Sequence, residues 1–421
     1  MPLSQSRTFR ALRHRNFRLF FIGQGLSNMG TWLQQVAMGW LTYRITGSAW
    51  LLGVIAFCAN IGILVLGPFS GVLADRINRR HGLFVTQTLL LVQALALAVL
   101  VALGHVETWH LIVFALWLGI VQAFDIPLRQ SLYVHLVDDR ADLANAIALN
   151  SFLVNSARVV GPALAGVLLS LVGEAPCFAF NALSFVAVIA ALSRLDWPAQ
   201  THAHAKAGWW ASWVEGAGYA LGYAPSRALL IVAGVISWTI TPYSSLMPIY
   251  AKDVYAGGPH TLGLLLSAAG AGALASTIYL AGRETVRGLG RVIAAAMGCA
   301  GLALSLFAYL RVLPMALVLM AVVGGGVILA AASANTILQT IVDDRLRGRA
   351  SAFFTMAFLG MAPLGNLVAG AMANAWGAPA TFMLNGALCI VAALWFRWRL
   401  PVLGPLLRPV YKRLGIIRDE T

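Results

Sequence analysis

Few residues in this chain can do chemistry, and they sit in unusual places. Asp125 and Arg129 stand four apart in the stretch AFDIPLRQS, residues 123–131, inside an apolar run that begins at Trp109. Four residues is about one helical turn, so both side chains share a face, and Gln122 joins them at i−3. A charge held in an apolar medium costs several kcal/mol unless it is paired or hydrated. The spacing therefore points to an ion pair turned away from lipid, with Arg158 as a third member. Two chemistries are open to it. One is a structural pair stapling neighbouring helices. The other is a carboxylate that takes up and releases a proton as its surroundings change, since a nearby arginine favours the charged form and dry burial the neutral one.

Further polar side chains recur at helical intervals in apolar stretches. Gln24, Asn28, Thr31, Gln35 and Thr42 make one stripe, and Ser151, Asn155 and Arg158 another. Asn335 and Gln339 are four apart, and Trp238, Thr241 and Tyr243 surround Pro242. A polar stripe facing lipid is costly, so each must face a neighbouring helix or a cavity. An amphiphilic cavity with aromatic walls would suit an organic solute larger than an ion; interhelical hydrogen bonds explain the same residues. Metal and cofactor chemistry has no such support. Cys58, Cys177, Cys299 and Cys389 are scattered through apolar segments and read as small buried hydrophobes, and the His202–His204 pair lacks further ligands. There is no H-E-x-x-H, no G-x-S-x-G and no phosphate-binding loop, so no cofactor is expected and an enzyme is disfavoured.

The elements that must position these residues follow from composition. The 421 residues are 60% hydrophobic and 10% charged, with a mean hydropathy of +0.80. A soluble domain is about a quarter charged, and a membrane-crossing helix needs about 20 apolar residues. Runs of that length occur at 17–43, 50–74, 82–103, 109–135, 143–172, 176–194, 227–250, 261–282, 290–310, 313–338, 349–375 and 379–398. The fold class predicted is an all-α polytopic membrane protein with twelve transmembrane helices. With twelve spans both termini lie on one side. That side carries 24 of the 29 Lys and Arg, against Arg44, Lys252 and Arg311 on the other. The positive-inside rule then puts both termini in the cytoplasm, with the chain a multi-pass protein of the cytoplasmic (plasma) membrane. The net charge of +14 reads as an orientation signal aided by anionic lipid, not as a nucleic-acid site.

The spans fall into two sets of six: an N-terminal bundle over 1–194, a central cytoplasmic loop over 195–226, a C-terminal bundle over 227–398 and a basic tail over 399–421. Aromatics between Trp209 and Tyr223 suggest an interfacial helix in the loop. The halves repeat: LVDDR at 136–140 answers IVDDR at 341–345, and GEAPCFAFNAL at 173–183 answers GAPATFMLNGAL at 377–388. The second pair aligns Gly173 with Gly377, Phe178 with Phe382 and Asn181 with Asn385. Parallel repeats of this kind imply pseudo-two-fold symmetry and a path between the halves near the membrane midplane.

The motif GVLADRINRR at 71–80 resembles the signature between spans 2 and 3 of the major facilitator superfamily. In it Gly71 permits close packing, Arg76, Arg79 and Arg80 anchor the cytoplasmic face, and Asn78 replaces the usual glycine, a residue tolerant of left-handed backbone. The resemblance implies that Asp75 latches the halves and controls the conformational switch. RGRAS at 347–351 resembles the opening of span 11 in that superfamily, and the N-terminal string at 9–48 is similar to the secretion-effector branch that includes enterobactin exporters. ARVVGPALAG at 157–166 resembles the span 5 pattern of antiporters, with Gly161, Pro162 and Gly166 in place and Ala157 and Ala165 standing for glycines. If Gln122 and Ala123 match the R-x-x-Q-G element of proton antiporters, Gly119 holds its arginine position. The expectation is a monomeric secondary transporter exporting a drug- or siderophore-like small molecule by proton antiport with alternating access. An uptake permease of the same fold is the alternative, and a membrane enzyme or scaffold is the alternative of another class.

Overall fold

The computed structural model describes residues 7–197, 217–218, 220–283, 285–343 and 346–414, with side chains at 7, 8, 68, 71–76, 134 and 140 outside the description. Among the described residues every regular element is helical. In chain order they are α1 (Arg15–Thr46), α2 (Ala49–Arg76), α3 (Arg79–Ala102), α4 (Thr108–Leu132), α5 (Leu143–Val172), α6 (Glu174–Ser193), α7 (Ala224–Thr239), α8 (Tyr243–Ile249), α9 (Pro259–Ala281), α10 (Leu289–Phe307), α11 (Leu313–Ile341), α12 (Arg347–Trp376) and α13 (Ala378–Arg413). Helices α7 and α8 with a π turn at Tyr250–Val254 form a single span.

Eleven of the described segments are long and apolar enough to cross a membrane. The twelfth expected span, α1, is 32 residues long but is not among them, because Gln24, Asn28, Gln34 and Gln35 dilute its hydropathy. The polar residues of α1 are thus what hide it as a span. Two other ends differ from expectation. Span 4 stops as α-helix at Leu132, with Tyr133–His135 in a 3-10 turn. The last span does not end at 398: α13 continues to Arg413 through Pro401, Pro405 and Pro409. Pro127 and Pro162 likewise stay inside α4 and α5, each removing one backbone hydrogen bond without ending its helix.

Local sequence sets the helix ends. Asn78 caps α3 through its side-chain oxygen, which accepts from His81 N–H at 3.2 Å, with φ −64° and ψ 113°. The asparagine in the signature is there as an N-cap in extended backbone, not for the left-handed conformation expected of it. Gly173 separates α5 from α6 with φ +81° and ψ −169°, and Gly377 separates α12 from α13 with φ +84° and ψ 154°. Both conformations are open essentially to glycine alone. The repeat read in the sequence therefore marks the same backbone turn twice.

The chain forms two compact units, Met1–Ala203 with Pro248–Ser267, and His204–Met247 with Ala268–Thr421. By contacts, then, Pro248–Ser267 goes with the first unit, although it lies in the second half of the chain. In the first unit α1 packs on α5 and α6, α3 on α4 and α6, and α2 on α4. The last pair is close because glycines face each other: a Cβ on Gly119 would lie 2.6 Å from Cys58 O, and one on Gly62 would strike the Gly119 carbonyl. At one end of this unit Phe17, Phe20, Leu83, Leu128, Leu132, Leu149, Val188 and Leu192 form a core. In the second unit α10 packs on α11 and α13, and α7 on α12, α13 and α11. Cys58, Cys177 and Cys389 are buried as expected, whereas Cys299 is exposed.

Candidate proton and solute sites

Helix α4 places Asp125 against α3 and 1% exposed. Oδ1 accepts from Thr86 Oγ1 at 2.7 Å and from Gln87 Nε2 at 2.8 Å, and Oδ2 faces Arg129 Nε at 3.0 Å. The ion pair expected from the i, i+4 spacing is therefore present. Its third and fourth members are Thr86 and Gln87 of α3, not Arg158, which among the described residues has no hydrogen-bond or ion-pair partner. Gln122 is half-buried and makes no bond to the pair. Gly119 lies flush on Cys58 O, so α2 leaves no room there for the arginine of the antiporter element. Thr86 Oγ1 also lies 3.1 Å from Leu83 O, which gives its single proton two acceptors.

A second buried polar chain crosses the first unit. Asn181 Nδ2 of α6 donates to Gln34 Oε1 of α1 at 2.7 Å, and Gln34 Nε2 donates to Gln93 Oε1 of α3 at 3.0 Å. Gln93 Nε2 then donates to Phe114 O of α4 at 3.3 Å. The three side chains are 1%, 4% and 0% exposed. Of the two adjacent glutamines, Gln35 of the stripe is exposed and Gln34 makes these buried bonds. The missed signal was the shared apolar context of Gln34, Gln93 and Asn181, amides in three different spans.

The rest of the α1 stripe is interior. Gln24 is 3% exposed and donates from Nε2 to Asn28 Oδ1 at 3.0 Å. Gln24 Oε1 and Asn28 Nδ2 are buried without partners, and Thr31 is half-buried. On α5, Asn155 Nδ2 bonds back to Ser151 O at 2.8 Å, and Arg158 is half-buried at mid-helix. The antiporter-like residues are contact points: a Cβ on Gly161 would lie 2.5 Å from Trp32 Cβ, and one on Gly166 would lie 2.9 Å from Pro259 O and 3.0 Å from Gly263 Cα. Ala157 and Ala165 are fully buried.

In the second unit Gln339 Nε2 donates to Asn335 Oδ1 at 3.2 Å. The backbone of Trp238 abuts Gly365, where a Cβ would lie 2.6 Å from Trp238 O, and Tyr243 opens α8 half-buried. A cavity of about 620 Å³ in this unit is lined by Pro225, Leu229, Arg291, Phe396, Leu400 and Tyr411. It gathers the ends of α7, α10 and α13 and holds none of the polar residues singled out above, so it is not taken as the solute site.

Of the switch motif, Gly71, Asp75 and Arg76 sit on the last turns of α2, and their side chains lie outside the described residues. Arg79 Nη1 is 2.6 Å from His135 Nε2, and Arg80 lies over the Phe84 ring at 6.0 Å. The expected interfacial helix at 209–223 falls mostly outside the described residues, as do His202 and His204. Nearby, His14 pins the N-terminal 3-10 segment Arg7–Arg13. Its Nε2 is 3.0 Å from Asp142 Oδ2 and its Nδ1 is 3.0 Å from Asp138 Oδ2. Burial lowers the His14 pKa, but the hydrogen bonds and charges of Asp138 and Asp142 outweigh it and the net shift is upward from 6.5. Tyr43 of α1 donates from its hydroxyl to Asp253 in the π turn, with Lys252 Nζ 5.3 Å from the Tyr43 ring centre. Sequence reading had ended that span at 250 and so missed Asp253.

A model of transmembrane secretion effectors, a branch of the major facilitator superfamily, matches residues 6–406. The chain belongs to this transmembrane secretion effector family. Curated relatives agree. The staphyloferrin A transporter of Staphylococcus aureus is 25% identical over 391 residues, covering 90% of this chain and 95% of that one. The multidrug efflux pump Tap of Mycobacterium tuberculosis is 29% identical over 386 residues, covering 88% and 90%. Among solved structures, the nucleoside transporter NupG matches with a TM-score of 0.71 at 14% identity, covering 91% and 98%. A POT family transporter in complex with 5-aminolevulinic acid matches with 0.72 at 12% identity, covering 92% and 96%. At these identities the structures speak for the fold alone. This secretion effector is thus a multi-pass membrane transporter of small molecules with the major facilitator fold.

Proposed function

We propose that this secretion effector exports a small organic solute across the cytoplasmic membrane, with both termini in the cytoplasm, by exchanging it for protons in an alternating-access cycle. Export is supported by the relative named an efflux pump and by the span 5 glycine–proline pattern. Proton exchange rests on one observation, the bonding around Asp125. While Asp125 is a carboxylate, Thr86 donates to Oδ1. Once Asp125 is protonated at Oδ1, its O–H can donate to Thr86 Oγ1, and Thr86 can turn its own proton to Leu83 O. Both protonation states thus find a satisfied hydrogen-bond arrangement without moving a helix. Arg129, 25% exposed against 1% for Asp125, is the partner whose approach or withdrawal would favour one state over the other.

A second reading has its own observation. Donors from α3 and α4 converge on one buried carboxylate, which is what a purely structural clamp between those helices requires. The two readings part in proteoliposomes. In a proton-coupled carrier Asp125→Asn abolishes accumulation of solute under a pH gradient, yet keeps gradient-free counterflow and protein level. In a clamp, Asp125→Asn lowers thermal stability, and Asp125→Asn with Arg129→Gln recovers part of it. An abundant, stable Asp125→Asn protein that still concentrates solute under a proton gradient would overturn the coupling role.

A further inference from the structure

Two arginines lie deep in the first unit's helices, and only one has a partner. Arg129 is matched by Asp125. Arg158 lies at the middle of α5 (Leu143–Val172), about 20 Å from either end at 1.5 Å per residue. It is half-buried and, among the described residues, bonded to nothing. An arginine stays charged in any protein environment, and a charge at that depth persists only where it meets water or an anion.

Its surroundings can be built from helix contacts. Leu153 and Gly161 of α5 meet Gly25 and Trp32 of α1, so the two helices run parallel, and Asn28 falls within one turn of the level of Arg158. At about 100° per residue, Arg158 is rotated to one flank of the α5 face that touches α1. Gln24 and Asn28 are rotated the opposite way from the α1 face that touches α5. For two parallel right-handed helices facing each other, those rotations bring all three side chains to the same side of the seam. The beginning of α9 closes the group from a third direction. Gly263 meets Pro162 O and Gly166, and Gly166 meets Pro259 and His260, so α9 runs antiparallel to α5 here. One turn before Pro162 is Arg158, and one turn after Gly263 is Ser267, which brings these two to a common level.

Three of these neighbours carry buried polar atoms with no partner: Gln24 Oε1, Asn28 Nδ2 and Ser267 Oγ. Gln24 is itself 3% exposed. Turning both amides over exchanges which residue offers N–H and which offers C=O, but in either arrangement the pair leaves one donor group and one acceptor free. The group therefore comprises a fixed cation, an amide donor, a hydroxyl and a carbonyl acceptor. We infer that Arg158, with Asn28, Ser267 and Gln24, forms an organic-anion site in which the guanidinium takes a carboxylate of the solute and Gln24 or Asn28 accepts from a hydroxyl beside it. The inference rests on the transporter reading above and gives that reading a substrate class, hydroxylated carboxylates.

The test uses the full-length purified protein, and its probes are tartrate, the neutral diethyl tartrate, carboxyfluorescein and the cation tetraphenylphosphonium. Tartrate and carboxyfluorescein should raise the melting temperature of the wild type, whereas diethyl tartrate should not. Arg158→Gln should raise the half-maximal tartrate concentration about tenfold or more, the usual scale of a lost charge-assisted bond. Arg158→Lys should retain part of the response, and Ser267→Ala, which keeps the charge, should weaken it by about threefold. Unliganded melting and monodisperse elution check that each variant is folded, and Ser267→Ala carries the test if Arg158→Gln is not. The site is overturned if neither anion stabilises the wild type, or if a folded Arg158→Gln responds to tartrate unchanged. Counterflow in proteoliposomes separates this from the transport reading. Flux of tetraphenylphosphonium without any anion response removes the anion site and leaves the transporter. An Arg158-dependent tartrate shift with no flux of any probe keeps the site and removes transport.

Discussion

At the scale of single residues, polar groups in the first unit divide by whether their bonds are complete. The chain Asn181–Gln34–Gln93–Phe114 O links four helices with every bond made. Intramembrane hydrogen bonds average about 0.6 kcal/mol and reach about 1.7, and an orphaned buried partner adds about 1–3 kcal/mol. Gln93→Ala, which leaves Gln34 Nε2 without its acceptor, should therefore destabilise the protein by about 1–3 kcal/mol while leaving the specificity of solute flux unchanged. Thermal unfolding in detergent read beside counterflow checks both; an altered solute preference at wild-type stability would move Gln93 from the frame to the site. Bulk introduced on the α1 stripe should act in the opposite sense. Asn28→Trp should impair flux strongly with little loss of stability, against Leu26→Trp, an apolar control off the stripe that is 44% exposed. Equal effects at the two positions would make the stripe ordinary packing. Leu33, also off the stripe, is 1% exposed and cannot serve as that control.

At the scale of elements, span positions were legible because about twenty apolar residues in a row have no other comfortable structure, and α5 runs over the same 143–172 read from the sequence. What was not legible depended on neighbours. Apolar run length does not say which of two adjacent glutamines bonds to other helices, and it is Gln34 that does. It does not reveal that Thr86 and Gln87 of another helix complete Asp125 in place of Arg158. Nor does it show that three prolines at intervals of four leave α13 helical. The N-terminal docking of Arg7–Arg13 through His14 was equally hidden, since its partners Asp138 and Asp142 lie more than 120 residues away. That element carries a pH prediction. The His14 pKa is raised in the fold, so its contribution to docking is complete below the unfolded value near 6.5 and is lost as pH rises through the raised value. Amide exchange across residues 7–14, corrected for the intrinsic pH effect, should show more protection at pH 6 than at pH 8.5, and His14→Gln should remove the difference. Equal protection in the wild type at both pH values would count against the imidazolium as the pin.

At the scale of the whole molecule, the family and fold were legible from the superfamily signature and the internal repeat, since short motifs survive where overall identity to relatives falls to 25–29%. The switch reading of Asp75 still rests on that signature. Asp75→Asn should change the balance of inward and outward labelling at single-cysteine reporters placed on each face, with expression preserved; unchanged labelling on both faces would sink it. The repeat has a further consequence, at the two turns of Gly173 and Gly377. An L-alanine Cβ at Gly173 would meet no atom within 4 Å, and one at Gly377 would meet only Pro379 Cδ at 3.7 Å. Space does not demand glycine at either turn; handedness does. Gly173→Ala and Gly377→Ala should each cost about 1–3 kcal/mol, read as loss of thermal stability, although neither creates a clash. A D-alanine installed by chemical ligation should be tolerated by the backbone at both turns, because the mirror image of each conformation is ordinary extended chain. What the two halves share at these turns is the achirality of a residue, followed in each by a phenylalanine and an asparagine at the same spacing, Phe178 and Asn181 in one and Phe382 and Asn385 in the other.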